Sequence, residues 1–319
     1  MNINNFTCPE VKDIKSLIEI AQRKINYQNI DSKILFNILP ELIKLDNMVG
    51  MEKLKQTIFY QIIYYLQNMH KKGQNEYLHT VITGLPGSGK TSVAEILGKI
   101  YKNLGILSKN GSFTVAKRED FIAPYLGQTA IKTRVLLESC VGGVLFIDEA
   151  YSLGPGQKDR DSFSKEAIDT INLFLSEHKN DFCCIIAGYE DEIRKCFLDV
   201  NKGLERRFQW IHRIDSYDEK HLAKIMIKMI HDINWSVILS VDELAEIIKP
   251  QIENFKNFGG DIENFLSKCK IMHAKRVFSL DDRHKCILTK EDLESAFKLL
   301  KKDDKEEGEK NISLQYLYM

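Results

Sequence analysis

Residues 80–91 read Thr-Val-Ile-Thr-Gly-Leu-Pro-Gly-Ser-Gly-Lys-Thr, and the stretch that follows carries apolar residues at helical spacing. A buried strand that enters a GxxxxGK[ST] turn and leaves it as a helix is the context that gives this motif its meaning. Its glycines let the backbone wrap until successive N–H groups point at one anion. The helix that opens there adds the positive end of its dipole. Lys90 supplies a charge for the β and γ phosphates, and Thr91 a hydroxyl for Mg²⁺. Such a loop needs a parallel sheet behind it, so the pattern constrains the whole middle of the chain.

That middle part has the expected pattern. From about residue 46 to residue 216 short apolar runs alternate with amphipathic stretches, as in a parallel sheet covered by helices. The runs Leu78–Thr83, Phe113–Ala116, Val144–Ile147, Phe182–Ala187 and Trp210–Ile214 are expected strands. Val93, Leu97, Ile100 and Tyr101 line one helix face, and Ile168, Ile171, Phe174 and Leu175 another. Residues 1–45 read as a helical extension, with Ile14, Leu17, Ile18 and Ala21 on one face and Ile34, Leu35 and Ile38 before Pro40. Residues 217–302 read as an all-helical lid that opens on a capping box, Ser216-Tyr-Asp-Glu219. The apolar stripes of the lid are Leu222, Ile225, Met226, Met229, Ile230 and Ile233; Leu244, Ile247 and Ile248; Ile262, Phe265, Leu266 and Cys269; and Leu293, Ala296, Phe297 and Leu300. Residues 303–319 read as a charged, solvated tail.

A second run, Gly142-Gly-Val-Leu-Phe-Ile-Asp148-Glu149, puts paired acids at the carboxyl end of a strand, where ligands sit in open α/β sheets. Asp148 suits the Mg²⁺ shell, and Glu149 can polarise the water that attacks a γ-phosphate. A third run, Gly203-Leu-Glu-Arg206-Arg207-Phe208, offers guanidinium groups that can fork onto phosphate oxygens, although a surface Arg pair is by itself more often structural.

GLPGSGKT, GGVLFIDEAYSL, IIAGYEDE, GLERRF and the helical lid together resemble an AAA+ ATPase. FIDEAYSL, KEAIDT and AGY resemble more narrowly the CbbX/CfxQ group, which includes red-type Rubisco activase, stage V sporulation protein K and versions in large DNA viruses. The resemblance implies an α/β P-loop fold with a five-stranded parallel sheet and flanking helices, followed by a small helical lid. It implies ATP and Mg²⁺ as ligands, a homohexameric ring and hydrolysis of ATP to ADP and phosphate. Carried onto this chain, it places nucleotide contacts at Val49, Gly50, Gly84, Leu85, Pro86, Gly87, Ser88, Gly89, Lys90, Thr91 and Ser92, with Mg²⁺ at Thr91 and Asp148. It makes Glu149 and Lys90 catalytic, Arg207 a finger reaching a neighbour's site and Arg206 a possible helper. Tyr125, Leu126 and Gly127 match the pore loop that grips a polypeptide. Ala187-Gly188-Tyr189 stands where a small polar sensor is usual, so Tyr189 is a candidate in its place, and Gly259-Gly260-Asp261-Ile262 offers no lid arginine.

Function classes narrow accordingly. Lys and Arg total 45 against 45 Asp and Glu, a zero net charge that argues against gripping nucleic acid. The partner that the resemblance and its pore loop imply is a protein client, unidentified, remodelled by the ring. A nucleic-acid loader or initiator, and a nucleotide-gated scaffold with little turnover, are the alternatives. The 7 cysteines form no CxxC pair, and no HExxH or Cys/His spacing suggests a metal other than Mg²⁺. No leader pattern and no run of ~18 apolar residues is visible, so no membrane partner is expected. The expected location is cytoplasm, or host cytoplasm or virion for a viral chain.

Overall fold

The computed structural model describes residues 7–28, 30–69, 77–108, 110–125, 127–155 and 161–300. The tail and Leu126 of the expected pore loop lie outside them. The chain divides into two compact units, one of residues up to Leu85 and from Gly89 to Ser216, the other of Pro86–Ser88 and residues from Tyr217.

The first unit is an α/β layer. Helices α1 (Ile14–Gln22), α2 (Ser32–Asp46) and α3 (Glu52–Leu66) precede β1 (Thr80–Thr83), α4 (Lys90–Asn103), β2 (Phe113–Ala116), α5 (Arg118–Phe121) and α6 (Thr129–Ser139). Then come β3 (Val144–Ile147), α7 (Ser162–Glu177), β4 (Cys183–Gly188), α8 (Glu190–Ile193) and β5 (Trp210–Arg213). The five strands lie in the order β2-β3-β4-β1-β5 and every pairing is parallel. β1, β3 and β4 are buried along their whole length, which is why they read as unbroken apolar runs. Phe121, Leu145, Phe174, Phe182, Phe197 and Phe208 meet in one core cluster. Cys183 and Cys184 are fully buried in β4 and pack as small apolar residues.

The strands fall where the apolar runs are, with shifted bounds in three of them; β5 ends at Arg213 instead of Ile214. β1 starts at Thr80 instead of Leu78, and β4 runs Cys183–Gly188 instead of starting at Phe182. Pro40 does not end the second helix. α2 passes through it to Asp46, because Leu42 and Leu45 beyond it are fully buried. Their burial offsets the hydrogen bond that proline cannot donate, a loss of about 3 kcal/mol in a helix interior. The extension also joins the first unit: α2 packs on α4, and the Asn103 amide of α4 donates to the Asn37 carbonyl and to Glu41 at 3.3 Å.

The second unit holds α9 (Glu219–Asp232), β6 (Ser236–Val237), α10 (Val241–Ile248), α11 (Gly259–Val277) and β7 (Ile287–Leu288). A last helix, α12, covers residues 290–300. The unit is not purely helical, since β6 and β7 form a two-residue parallel pair. The capping box is also displaced from Ser216–Glu219. Asp218 caps α9, accepting from the His221 N–H at 2.8 Å, because the helix starts at Glu219, which puts His221 at its third position. Ile233 lies just past α9 and is exposed, while Leu222, Met226 and Ile230 are buried. Asp292 is buried at the start of α12. Burial works to raise its carboxyl, but hydrogen bonds from Arg276, the Thr289 N–H and His273 outweigh it and hold it at about 2.

Ile38 of α2 is fully buried. Ile38→Ala should lower unfolding stability by about 2–5 kcal/mol, the usual cost of emptying a packed aliphatic site. Urea unfolding checks it. An unchanged midpoint would mean that the extension is an appendage with no share in the core.

Candidate active site

Because the sheet is parallel, the carboxyl ends of β1, β4 and β3 emerge side by side. Thr83 pairs with Gly188 and Ile147 with Ile186, so the chain leaves the three strands at nearly one level. The Gly84 N–H donates to the Gly188 carbonyl at 3.3 Å, tying the start of the glycine loop to the end of β4. From β1 comes the loop, from β4 comes Tyr189, and from β3 come Asp148 and Glu149.

The loop closes into α4 through Gly89, whose φ of +95° is left-handed and needs no Cβ. A Cβ built there would stand 3.2 Å from the Met51 methyl and 3.4 Å from that of Met48. The turn holding Val49 and Gly50 is thereby brought against the loop. Lys55 holds that turn in shape, donating to the carbonyls of Asp46 at 3.1 Å and Met48 at 2.7 Å. Lys90 is only 7% exposed, and its ammonium donates to the carbonyls of Gly84 and Leu85 at 3.0 and 3.1 Å. Thr91 and Ser92 are exposed on the first turn of α4. The Ser88 hydroxyl is buried with no hydrogen-bond partner among the described residues. In the second unit, the Ser88 carbonyl accepts from the Tyr217 hydroxyl at 2.9 Å.

Asp148 and Glu149 are half-buried. The Asp148 carboxylate accepts from the Glu149 N–H at 3.1 Å, and Glu149 adopts a left-handed φ of 51° before a 3₁₀ turn, Ala150–Leu153. Burial pushes the Glu149 carboxyl up; the Lys90 charge opposes this, and the charges of Asp148 and Glu192 add to it. A charged left-handed residue at this point is local strain of the kind that clusters at active sites.

Residues that the motifs did not point to complete the arrangement. Arg118, opening α5, donates to the Ser152 carbonyl at 2.5 Å and to the Ser164 hydroxyl at 3.0 Å, and pairs with Asp161 at 2.5 Å. It pins the far end of the turn that begins at Glu149. Glu192 is in electrostatic reach of Glu149. Neither Arg118 nor Glu192 lies near the acids in sequence, so only covariation or a fold could have found them. Tyr151, two residues after Glu149, was legible only as part of the FIDEAYSL string.

Arg207, Arg206 and Tyr125 share no side-chain hydrogen bond or ion pair with these residues among the described residues. Arg207 is half-buried, its Nε donating to the Ser176 hydroxyl at 2.8 Å and its Nη1 to the Gly203 carbonyl at 2.5 Å. Arg206 is exposed and has no hydrogen bond or ion pair among the described residues. Tyr125 is 68% exposed, and Gly127 has a left-handed φ of 78° with open space around it. At the start of α11, Asp261 accepts from the Asn257 N–H at 2.7 Å.

The AAA model, of the ATPase family associated with various cellular activities, matches residues 80–215. The chain is 35% identical to a cfxQ-like protein of Acanthamoeba polyphaga mimivirus, an alignment covering 98% of this chain and 78% of that protein. It is 37% identical to stage V sporulation protein K of Bacillus subtilis, over 68% of this chain and 69% of that one. It is 33% identical to the chloroplastic ribulose bisphosphate carboxylase/oxygenase activase of Cyanidioschyzon merolae, over 65% and 67%. Among solved structures, the FIGL-1 AAA domain in complex with ADP superposes with a TM-score of 0.57 at 14% identity, covering 79% of this chain and 82% of that one. A RuvB mutant of Thermotoga maritima does so with a TM-score of 0.55 at 17% identity, covering 80% and 71%. At such identities the structural likeness is one of fold alone. The sequence relatives go further, since one of them matches nearly end to end: the chain belongs to the AAA+ ATPases, in their CfxQ-like group.

Proposed function

We propose that this AAA+ protein hydrolyses ATP with Mg²⁺ in a homohexameric ring and uses the energy to remodel a protein client through a central pore. The observation that carries the reading is the levelling of β1, β4 and β3, which puts Lys90 within electrostatic reach of Glu149. The residues present fit the ligands. The left-handed Gly89 and the helix N-terminus behind it suit a phosphate chain. The Thr91 hydroxyl and the Asp148 carboxylate are the hard oxygen donors that Mg²⁺ takes. When bound, Mg²⁺ neutralises charge developing on the β and γ phosphates.

The loop amides and Lys90 hold the phosphates, with Lys90 turning from its own loop carbonyls toward them. Glu149 accepts a proton from the attacking water at its carboxylate, so that oxygen reaches phosphorus as a better nucleophile. Val49 and Gly50 border the loop where the adenine would lie. Arg207, and Arg206 beside it, serve a neighbouring copy's site, a contribution of about 10³–10⁵ in rate where such arginines have been measured. For Arg207 to do so it must leave Ser176 and Gly203. The exposed ring of Tyr125 suits a loop that grips extended chain by apolar contact. A relative named as an activase of an enzyme supports a protein client here.

Three outcomes test this reading. Lys90→Ala should weaken ATP-analogue binding tenfold or more, about one charge contact in a half-desolvated site, whereas Glu149→Gln should bind normally and turn over about 10²–10⁴ more slowly. Analogue titration beside phosphate release separates the two, and wild-type behaviour in both variants would refute the assignment. Glu149 must be ionised to act, and its carboxyl is raised, so the acid limb of the turnover profile should lie above the ordinary 4.5 and vanish in Glu149→Gln. Mixing Arg207→Ala with Lys90→Ala subunits should restore activity that neither has alone, since one supplies the pocket and the other the finger. The same mixture with Arg206→Ala assigns the shares of the two arginines, and full activity in dilute monomer would remove both from catalysis.

A further inference from the structure

The carboxyl end of β4 lies between the ends that carry Lys90 and Glu149, and the side chain there is Tyr189. The Lys90 ammonium stands 5.9 Å from the centre of the Tyr189 ring, within the range of a cation–π contact. A further neighbour of that ring is Tyr151, at 5.8 Å between centroids and tilted by 33°. Tyr151 belongs to the 3₁₀ turn that Glu149 begins, and its ring comes close to Gly188 at the end of β4. A Cβ built on Gly188 would come 2.9 Å from its Cδ1, so the approach requires glycine there. Three strand ends are thus joined by a chain of contacts, Lys90 to Tyr189 to Tyr151, that ends two residues from Glu149. Neither phenol hydroxyl has a hydrogen-bond partner among the described residues, and both rings are half-buried.

We infer that Tyr151 and Tyr189 form an aromatic brace, working through ring faces and not hydroxyls, that positions Lys90 for the phosphates and steadies the Glu149 turn. The inference rests on the ATPase reading above and adds two positioning residues to it. Without the Tyr189 face, the ammonium keeps its hydrogen bonds to the carbonyls of Gly84 and Leu85, which hold it against its own loop, and the charge attraction of Glu149. The ring offers a further attraction, one that a cation can leave without breaking a hydrogen bond. Beside Tyr151, the strained turn at Glu149 is held by the buried Ala150 and Leu153 and, at its far end, by Arg118 on the Ser152 carbonyl, so Tyr151 adds the contact that reaches β4. A polar sensor at this place would act by donating a hydrogen bond. A ring acts by its quadrupole and its bulk, so the two mechanisms respond oppositely to the same substitutions.

The test uses the full-length chain, with phosphate release, ATP-analogue affinity and melting temperature read together. Tyr189→Ala and Tyr189→Asn should both lower turnover about tenfold, whereas Tyr189→Phe should keep it within about threefold, since the quadrupole survives without the hydroxyl. Tyr151→Ala should lower turnover similarly, and Tyr151→Ala/Tyr189→Ala together should lose little more than the worse single variant, as expected of one unit. Melting temperatures are expected to stay close across the Tyr189 series. Should Tyr189→Ala melt early, the Asn and Phe pair still decides once melting temperatures are matched, because Asn can donate a hydrogen bond without a ring and Phe presents a ring face without a donor. Loss in Tyr189→Phe, or recovery in Tyr189→Asn, would overturn the brace in favour of a hydrogen-bonding sensor. Wild-type turnover in the Ala variants would overturn it outright. A wild-type chain that does not hydrolyse ATP at all would refute the ATPase reading, and the brace would fall with it.

Discussion

The parallel pairing of β1 with β4 is the constraint on which the rest of this molecule depends. Its register sets Thr83 beside Gly188, and the pairing of β4 with β3 carries the alignment on to Ile147. A parallel sheet leaves every chain on the same edge, and the residues immediately after its strands are freed from the ladder to serve a ligand. The glycine loop, Tyr189 and the Asp148–Glu149 pair are three such exits. An antiparallel neighbour at any of these places would have sent one of the three to the opposite edge.

Electrostatics at that edge are set by burial as much as by charge. Lys90 is nearly enclosed, and Glu149 is half-buried among Asp148 and Glu192. Taking charges out of water strengthens their mutual terms and penalises each of them alone. The lysine and the acids therefore stabilise one another, and removing either sign leaves the other in an unfavourable place. Arg118 shows the same economy one layer back, satisfying two carbonyls, a hydroxyl and a carboxylate with one guanidinium. Its fork geometry lets it join segments that lysine could not.

The N-terminal helices bear on the same edge. α2 packs on α4, the helix that the glycine loop opens, and the turn after α2 carries Met48 and Met51 to the loop itself. Burial of the α1–α2 pair thus supports the orientation of α4. Arg207 illustrates the opposite balance. Two of its five N–H donors are engaged within its own chain, so any service to another copy competes with those hydrogen bonds, whereas Arg206 has none to break among the described residues.

Much of this could be read from residues alone, because the signals are local. GxxxxGK[ST] after an apolar run, an apolar run ending in Asp148–Glu149 and the helical stripes of residues 217–300 each lie within one short window. The four residues Val144–Ile147 and the acidic pair beyond them needed no knowledge of any other segment. By themselves these patterns determined the five strands of the parallel sheet to within a residue or two, their order along the chain, and the glycine loop and acidic pair as candidate site residues. What only the tertiary structure decided are relations between distant segments: the strand order β2-β3-β4-β1-β5, the passage of α2 through Pro40, the cap at Asp218 and the contacts of Tyr189 with Tyr151 and with Lys90. Each is a choice among locally acceptable alternatives. Pro40 could end a helix, Ser216 could cap one, and a tyrosine after a strand could face water. The burial available elsewhere selects between them, and that burial exists only once the sheet has brought together residues far apart in the chain.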